Sequence, residues 1–382
     1  VSSHAVEIIH ADSPALVKQF LQFPYDLYEG DLMWRAPLRM ERKENLSAAK
    51  NPKANVLVRQ FFLAKRGEEI VGRIGAFINP AHQSIHKDDA GHFGFWDCKN
   101  DADIGSALLV AAETWLRGKG AQKIIGPTSH TTNEESGLLI DGFDTPPVLM
   151  MPYGRPYYQV MIERAEYNKA IDMYAYLADL NEGYPRPKTT TMMVRLAEKD
   201  PAITFRPINL KAMKDDVRVI MDIFNDAWSD NWGFVPFTDD DIEQLGAELK
   251  PILIAETFLI GEIDGKPAAY IGMLPDVNAA AHGLNGRLLP FGWAKLIYRL
   301  KVQGVKTSRI PLMGLRKEYQ NTRQGLAVVA KLCEDVFEAG RKKGFTHCEL
   351  SWILETNKSM IRICEQASAQ RYKTYRMYEK AL

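Results

Sequence analysis

The chain has 382 residues, 46% hydrophobic and 25% charged, the composition of a globular protein able to fill a core. Domains usually take about 100–200 residues, so the length predicts two. Lys plus Arg and Asp plus Glu both number 48, and this balance gives no electrostatic reason to expect nucleic acid, which wants a basic stripe. Cys98, Cys333, Cys348 and Cys364 are scattered without disulfide or metal-ligand spacing, which fits a reducing compartment. Residues 1–14 carry charges and no apolar signal core, and no run approaches the ~20 apolar residues of a spanning helix. The expectation is a cytoplasmic protein, soluble or at most seated on the inner membrane surface.

In chain order, residues 61–77 read as two apolar strands joined by a tight turn at Gly67. His82 and His86 stand four apart, but Asn79, Pro80 and Lys87-Asp-Asp read as a surface loop, and no third ligand accompanies them, so no metal is expected. Ile104, Leu108, Ala111, Ala112 and Trp115 fall on one helical face that stops at Gly118-Lys-Gly120, and a buried strand follows at 123–125. A tyrosine-rich strand at 170–177 closes this half. Residues 181–201, with Gly183, Pro185 and Pro187, read as a linker.

The pattern then repeats. Residues 257–273 form a second hairpin around Asp264-Gly265, whose residue types suit a positive-φ turn. Leu326, Val329, Leu332, Cys333, Val336 and Phe337 repeat the helical face up to Gly340 and Gly344; a strand at 345–352 and a tyrosine-rich strand at 372–378 follow. An internal duplication explains the matching order better than one large domain of generic amphipathic pieces. It implies an α/β protein with a mixed central sheet flanked by helices in each half. The predicted domains are 1–180 and 202–382, with the linker at 181–201 between them.

Three segments carry candidate chemistry. An apolar strand at 309–315 runs through a polar loop into the helix that begins near Gly325. Unpaired amides and the helix dipole make such a junction an anion site, to which Arg316, Lys317 and Arg323 add charge, while Gly325 and Ala327 are small enough for close backbone approach. A solvated loop that merely contains arginines is the ordinary alternative. The equivalent first-half junction, residues 101–107, carries Asp101 and Asp103 where phosphate would sit, so the first half is expected to lack this site. The long loop at 126–158 gathers His130, Asn133, Glu134, Tyr153 and Tyr157. Glu134 or Tyr153 can accept a proton from an amine, whereas the prolines and aromatics can equally serve only to pack the loop. Residues 288–302 are at once apolar, aromatic and basic. They fit a helix lying in a membrane interface, a cover for a long acyl chain, or an ordinary helix packed on the sheet.

The 318–327 loop resembles the pyrophosphate loop of the Gcn5-related N-acetyltransferase (GNAT) superfamily, Arg/Gln-x-x-Gly-x-Gly/Ala, although extra residues separate Gln320 from Gly325. Asn357 matches a position that helps to hold the donor in that superfamily, and seven residues on, where a tyrosine usually protonates the departing thiolate, stands Cys364. Val71-Gly-Arg-Ile74, His92-Phe-Gly-Phe-Trp96, Gly126-Pro127, Glu135-Ser-Gly-Leu-Leu139, Asp141-Gly-Phe143, Tyr157-Tyr158 and Tyr372-Lys-Thr-Tyr-Arg-Met-Tyr378 are similar to a bacterial family of tandem GNAT-like N-acyltransferases that includes ceramide synthases. The resemblance implies two GNAT-like domains, the second using acyl-CoA as co-substrate, and a direct attack by an amine, lipidic in the ceramide synthases, on the thioester. It implies donor binding at Met313, Gly314, Leu315, Arg323, Gly325, Ala327 and Asn357, while acceptor chemistry at Glu134 and Tyr153, with His130, Asn133 and Tyr157 beside them, rests on the residue types of the 126–158 loop. The neutral charge speaks against transfer from an aminoacyl-tRNA. A double-GNAT protein that binds acyl-CoA or lipid without catalysis is the second reading, because the usual acid is absent.

Overall fold

The computed structural model describes residues 5–47, 50–131 and 134–382. They form two compact units, one of residues 1–173, 281–292 and 373–382, the other of 174–280 and 293–372.

In the first unit, β1 (Val6–His10) is followed by helices α1 (Pro14–Leu27), α2 (Arg39–Asn45) and α3 (Pro52–Val56). A meander comes next: β2 (Val58–Arg66), β3 (Glu69–Ile78), helix α4 (Pro80–His86) and β4 (Ala90–Cys98). Helix α5 (Ala102–Gly118) crosses to β5 (Lys123–Gly126), and β6 (Leu138–Asp141) and α6 (Tyr157–Arg164) follow. β1 to β4 pair antiparallel and β5 joins β4 in parallel. α5 forms because Asp101 caps its start and Ile104, Leu108, Ala112 and Leu116 recur on one face, which is wholly buried against the sheet.

The strand β7 (Asn168–Asp179) leads into the second unit, where α7 (Lys188–Lys199), β8 (Ile203–Pro207), α8 (Met213–Trp228) and α9 (Asp239–Leu249) precede the hairpin β9 (Phe258–Ile263) and β10 (Lys266–Pro275). Asp264 and Gly265 both have positive φ, 51° and 72°, as the turn chemistry required. Then come α10 (Val277–Ala281), α11 (Gly292–Tyr298), β11 (Thr307–Leu315), α12 (Arg323–Lys342), β12 (His347–Leu354), α13 (Lys358–Gln366) and β13 (Gln370–Ala381). β8 to β11 are antiparallel and β12 joins β11 in parallel, so both units run strand, helices, three-strand meander, helix, parallel strand, helix. Ala327, Val328, Leu332, Val336 and Phe337 of α12 fill the second core with Ala269, Ile271 and Met273 of β10.

Three local findings differ from the sequence reading. The closing strand of the chain builds the first unit: residues 373–382 count there, and β13 pairs antiparallel with β5 from Tyr378↔Gly126 to Ala381↔Lys123. Tyr176, Ala178 and Leu180 meanwhile enter the second core. Within 181–201, read as a linker, α7 is a twelve-residue helix that buries Thr190, Val194 and Ala197. Residues 80–86 are a short helix and not a loop, because Asn79 Oδ1 accepts from the amides of Ala81 and His82 and Pro80 presets the first turn. His82 is consequently buried, its ring 4.6 Å from that of the buried His92. Among the described residues no group of three His, Cys, Asp or Glu side chains is placed to hold a metal.

Candidate functional site

In the second unit β11 and β12 are in parallel register from Thr307↔His347 to Ile310↔Leu350, and beyond that rung the pair opens while both strands continue. A bulge in the β10–β11 register, between Gly272↔Leu312 and Leu274↔Arg309, falls at Ile310 and Pro311; proline has no N–H for a ladder and is tolerated at such a bulge. Past it, Arg316 N–H donates to Ala268 C=O (2.9 Å), which fixes the alternation. Leu312 and Gly314 therefore turn their backbone groups to β10, and Met313 and Leu315 turn theirs into the opening. The carbonyls there are taken, Met313 O by Trp228 Nε1 (3.1 Å) and Leu315 O by Gln320 Nε2 (3.1 Å). What faces the opening as donors is the pair of amides at 313 and 315. Gly314 serves packing: a Cβ there would stand 2.8 Å from the Tyr270 ring.

At the helix start, Thr322 Oγ1 accepts from Gly325 N–H (3.0 Å), and Tyr319 C=O lies so close that a Cβ on Gly325 would stand 2.1 Å away. Ala327 is fully buried in the core, so its small size fits helix to sheet. The loop cations are largely balanced from α8 and the turn after it. Arg316 pairs with Asp222 and donates to Pro267 C=O, Lys317 N–H donates to Asp226 (2.7 Å), and Lys317 Nζ lies 2.6 Å from Asp230. Arg323 is exposed and has no ion pair among the described residues. Asn357 is the N-cap of α13, its Oδ1 accepting from Met360 N–H (3.1 Å). Cys364 is 1% exposed and burial pushes its thiol up to about 12, which makes it a weaker acid than the tyrosine it replaces and shuts it away from solvent. It is also the one residue α13 buries; Met360, Ile361 and Ile363 stay half-buried at the rim of the core.

A buried polar cluster sits at the last paired rungs of β11 and β12. Glu349, fully buried, accepts from Ser351 Oγ and from the Tyr372 hydroxyl, and the guanidinium of Arg309 lies 3.6 Å from it. Arg309 also donates to Ser351 Oγ (3.1 Å) and C=O (3.3 Å) and lies over the Trp352 ring. Sequence reasoning missed this cluster. Its signal was one charge in each of two otherwise apolar strands.

The first unit repeats the opening and fills it. β4 and β5 part after His92↔Ile125, but Thr128 N–H donates to Phe93 C=O (2.8 Å) and the chain lies so close that a Cβ on Gly94 would stand 1.7 Å from Thr128 O. Cys98, the last residue of β4, donates its N–H to the Tyr158 hydroxyl (3.0 Å), and its C=O accepts from Tyr157 (2.7 Å) and Tyr158 (3.1 Å). Asp101 caps α5 through Asp103 N–H and pairs with Arg66 (2.9 Å). Tyr157, a sequence-based acceptor candidate, is thus spent on the backbone of β4, and burial raises its phenol.

Of the other candidates in this unit, His130 is buried at φ 70° with its ring between Phe77 and Phe95 (5.4 and 5.2 Å). Glu134 accepts from Thr131 N–H (3.3 Å) and lies 3.7 Å from His130 Nδ1. Asn133 lies outside the described residues. Tyr153 donates its hydroxyl to Asp31 (2.8 Å), and burial with that carboxylate pushes the phenol well above its ordinary range, which makes it a poor proton acceptor. Asp31, also 3.4 Å from Arg155, is the carboxylate that the sequence did not single out.

Two successive GNAT folds, each with a parallel strand pair that opens at a helix start, make this a tandem GNAT protein. Solved structures with this fold include the tandem GNAT protein from the clavulanic acid biosynthesis pathway, 10% identical with a TM-score of 0.55 over 98% of both chains. Another is the GCN5-related N-acetyltransferase from Sphaerobacter thermophilus, 12% identical with a TM-score of 0.55 over 98% of this chain and 95% of that one. No family model matches the chain. It is 43% identical over 366 residues to Protein YghO of Escherichia coli (strain K12), covering 96% of this chain and 93% of that protein. It is 39% identical over 378 residues to the bacterial ceramide synthase of Caulobacter vibrioides (strain NA1000 / CB15N), covering 99% and 98%. The chain belongs to the family of these two proteins.

Proposed function

We propose that the protein is an acyl-CoA-dependent N-acyltransferase whose donor lies in the second unit and whose acceptor is a lipidic amine of the sphingoid-base type. The observation that carries this is the contrast between the two openings. In the second unit the amides of Met313 and Leu315 face the side on which β11 is no longer paired with β12, where only the carbonyls of these two residues are bonded by side chains, and in the first unit both the N–H and the C=O of Cys98 are taken by Tyr157 and Tyr158. The named activity of the Caulobacter relative supports the choice of a long acyl chain and a lipid amine. The half-buried Met360, Ile361 and Ile363 at the rim offer an apolar wall for such a chain.

In this reading the amine lone pair attacks the thioester carbon, and the oxygen that gains charge is met by the 313 or 315 amide. The C–S bond then breaks, the thiolate leaves, and the nitrogen loses a proton. Of the two proton-acceptor candidates in the first unit, Glu134 is preferred to Tyr153, which already donates to Asp31. Asn133 is proposed to border the acceptor, whereas Tyr157, bonded to the Cys98 carbonyl, and His130, buried against Phe77 and Phe95, are left out of that role. Arg323, the amides at the start of α12 and Asn357 are proposed to meet the diphosphate end, with Gly325 keeping the loop close to the helix. A sphingoid base resides in a bilayer, so the reading places the protein at the inner face of a membrane while it works.

Palmitoyl-CoA and free coenzyme A are both expected to raise the melting temperature of the protein; no shift with either would sink the donor half of the proposal. Arg323→Glu is expected to weaken coenzyme A binding on the order of tenfold in the same titration, as loss and reversal of one charge-assisted contact should.

The sealed thiol of Cys364 favours a second reading, a protein that binds acyl-CoA and does not turn it over. Thiol release from palmitoyl-CoA on addition of sphinganine separates the two: steady release supports the transferase, and binding without release supports the second reading.

A further inference from the structure

Six exposed large apolar side chains of the described residues gather in one stretch: Leu289 is 81% exposed, Phe291 78%, Trp293 51%, Ile297 53%, Tyr298 55% and Val302 71%. A surface helix normally turns its apolar stripe to the core. Here neither α11 nor the π-helical turn Arg299–Gln303 that continues it buries a single residue, so the expectation of an ordinary sheet-packed helix is not met. Exposed apolar clusters of this density mark a contact surface.

Charge identifies the partner. From residue 277 to residue 317 there is no Asp or Glu, in a chain whose acids and bases balance at 48 each. The exposed Arg287, Lys295, Lys301 and Lys306 stand among the apolar residues, and Arg299 is tied to Ala280 C=O (2.8 Å). Basic residues interleaved with Trp, Phe, Ile and Leu are the composition that lies in a bilayer interface, with rings and aliphatic chains at the acyl boundary and ammonium groups at the lipid phosphates. A second copy of the same surface would set lysine against lysine, and like charges oppose that pairing.

We propose that residues 289–302 seat this protein on an anionic lipid bilayer, a surface that rests on the lipidic-acceptor reading for its purpose but on exposure and charge for its existence. Binding is then both apolar and electrostatic, tighter to anionic than to neutral lipid and weakened by salt.

Co-sedimentation of the full chain with vesicles of phosphatidylcholine alone, and of phosphatidylcholine mixed with phosphatidylglycerol, tests this with no acyl donor present. Its outcome is therefore independent of whether coenzyme A binds. Partition to the anionic vesicles is expected to be at least about tenfold stronger and to fall with salt. Trp293→Glu with Ile297→Glu is expected to abolish binding to both, and Lys295→Glu with Lys301→Glu to weaken it about tenfold or more on anionic vesicles only. Urea melts of these surface variants should superimpose on the parent, and the single change Val302→Glu gives an independent reading if one pair does not fold. Equal partition to the two vesicle types, absence of binding, or unchanged binding in the variants overturns the proposal. So does a concentration-dependent dimer, abolished by the same variants, in place of vesicle binding.

Discussion

Glu349→Ala is expected to destabilise the protein by about 3–5 kcal/mol, read as a fall in the urea midpoint at constant slope. The carboxylate is fully buried, and what it leaves behind decides the size of the loss. Arg309, 2% exposed, would lose its contact with this carboxylate, and the hydroxyls of Ser351 and Tyr372 would lose their acceptor. Glu349→Gln retains an acceptor and should cost less, about 1–3 kcal/mol. Arg309→Met combined with Glu349→Leu removes both charges and should recover most of what the single alanine loses, because a buried ion pair contributes little net of its desolvation. A double variant as unstable as Glu349→Ala would mean that packing, not the loss of the carboxylate's charge, sets the cost. The cluster ties together the last rungs before β11 and β12 part, so it fixes where the opening begins.

Mild acid should weaken the first unit by a comparable amount. Burial, with His82 adding to it, lowers His92 from 6.5 to about 3, and burial also lowers His82 despite Asp88 at 3.5 Å. The other charged groups near them are His86 and Lys123, both of which act in the same direction. The folded form therefore keeps His92 neutral while the unfolded chain takes up a proton below pH 6.5. The contribution is fully present above 6.5 and is lost as pH falls toward 3. At pH 5 the loss amounts to roughly 2 kcal/mol for His92, with His82 adding in the same sense. Urea midpoints at pH 7.5 and pH 5 measure it, and His92→Gln should shrink the difference by about that amount. If the pH dependence survives in His92→Gln undiminished, other groups carry it.

Much of the fold was legible because it is written in short periods. The α5 and α12 helices, the two hairpins and the strand before Gly325 all rest on residues a few positions apart and lie where that spacing put them, except that the first turn of α12 buries Ala327 and Val328 and leaves Leu326, expected on the core face, 53% exposed. The site was legible as a type of junction, a strand feeding a loop and a helix N-terminus. Its details were less so. Asp222, Asp226 and Asp230 balance the loop cations from a helix about ninety residues upstream, Ala327 turned out to face the core, and Asn357 caps its own helix. Arg309 and Glu349 are single charges in two otherwise apolar strands, and only the β11–β12 register sets them side by side.

The amino-acid order alone determined that two similar α/β sheets form, each with a strand–helix junction, and that the first of these carries Asp101 and Asp103 where an anion would sit, since periodicity, caps and turn residues act within a few positions. Only the tertiary structure decided what occupies the first junction. Tyr158 closes the first by reaching Cys98 across 60 residues of sequence. It also decided that the final strand completes the first unit's sheet, because two tyrosine-rich strands of like alternation offer the same edge and only long-range packing chooses between them.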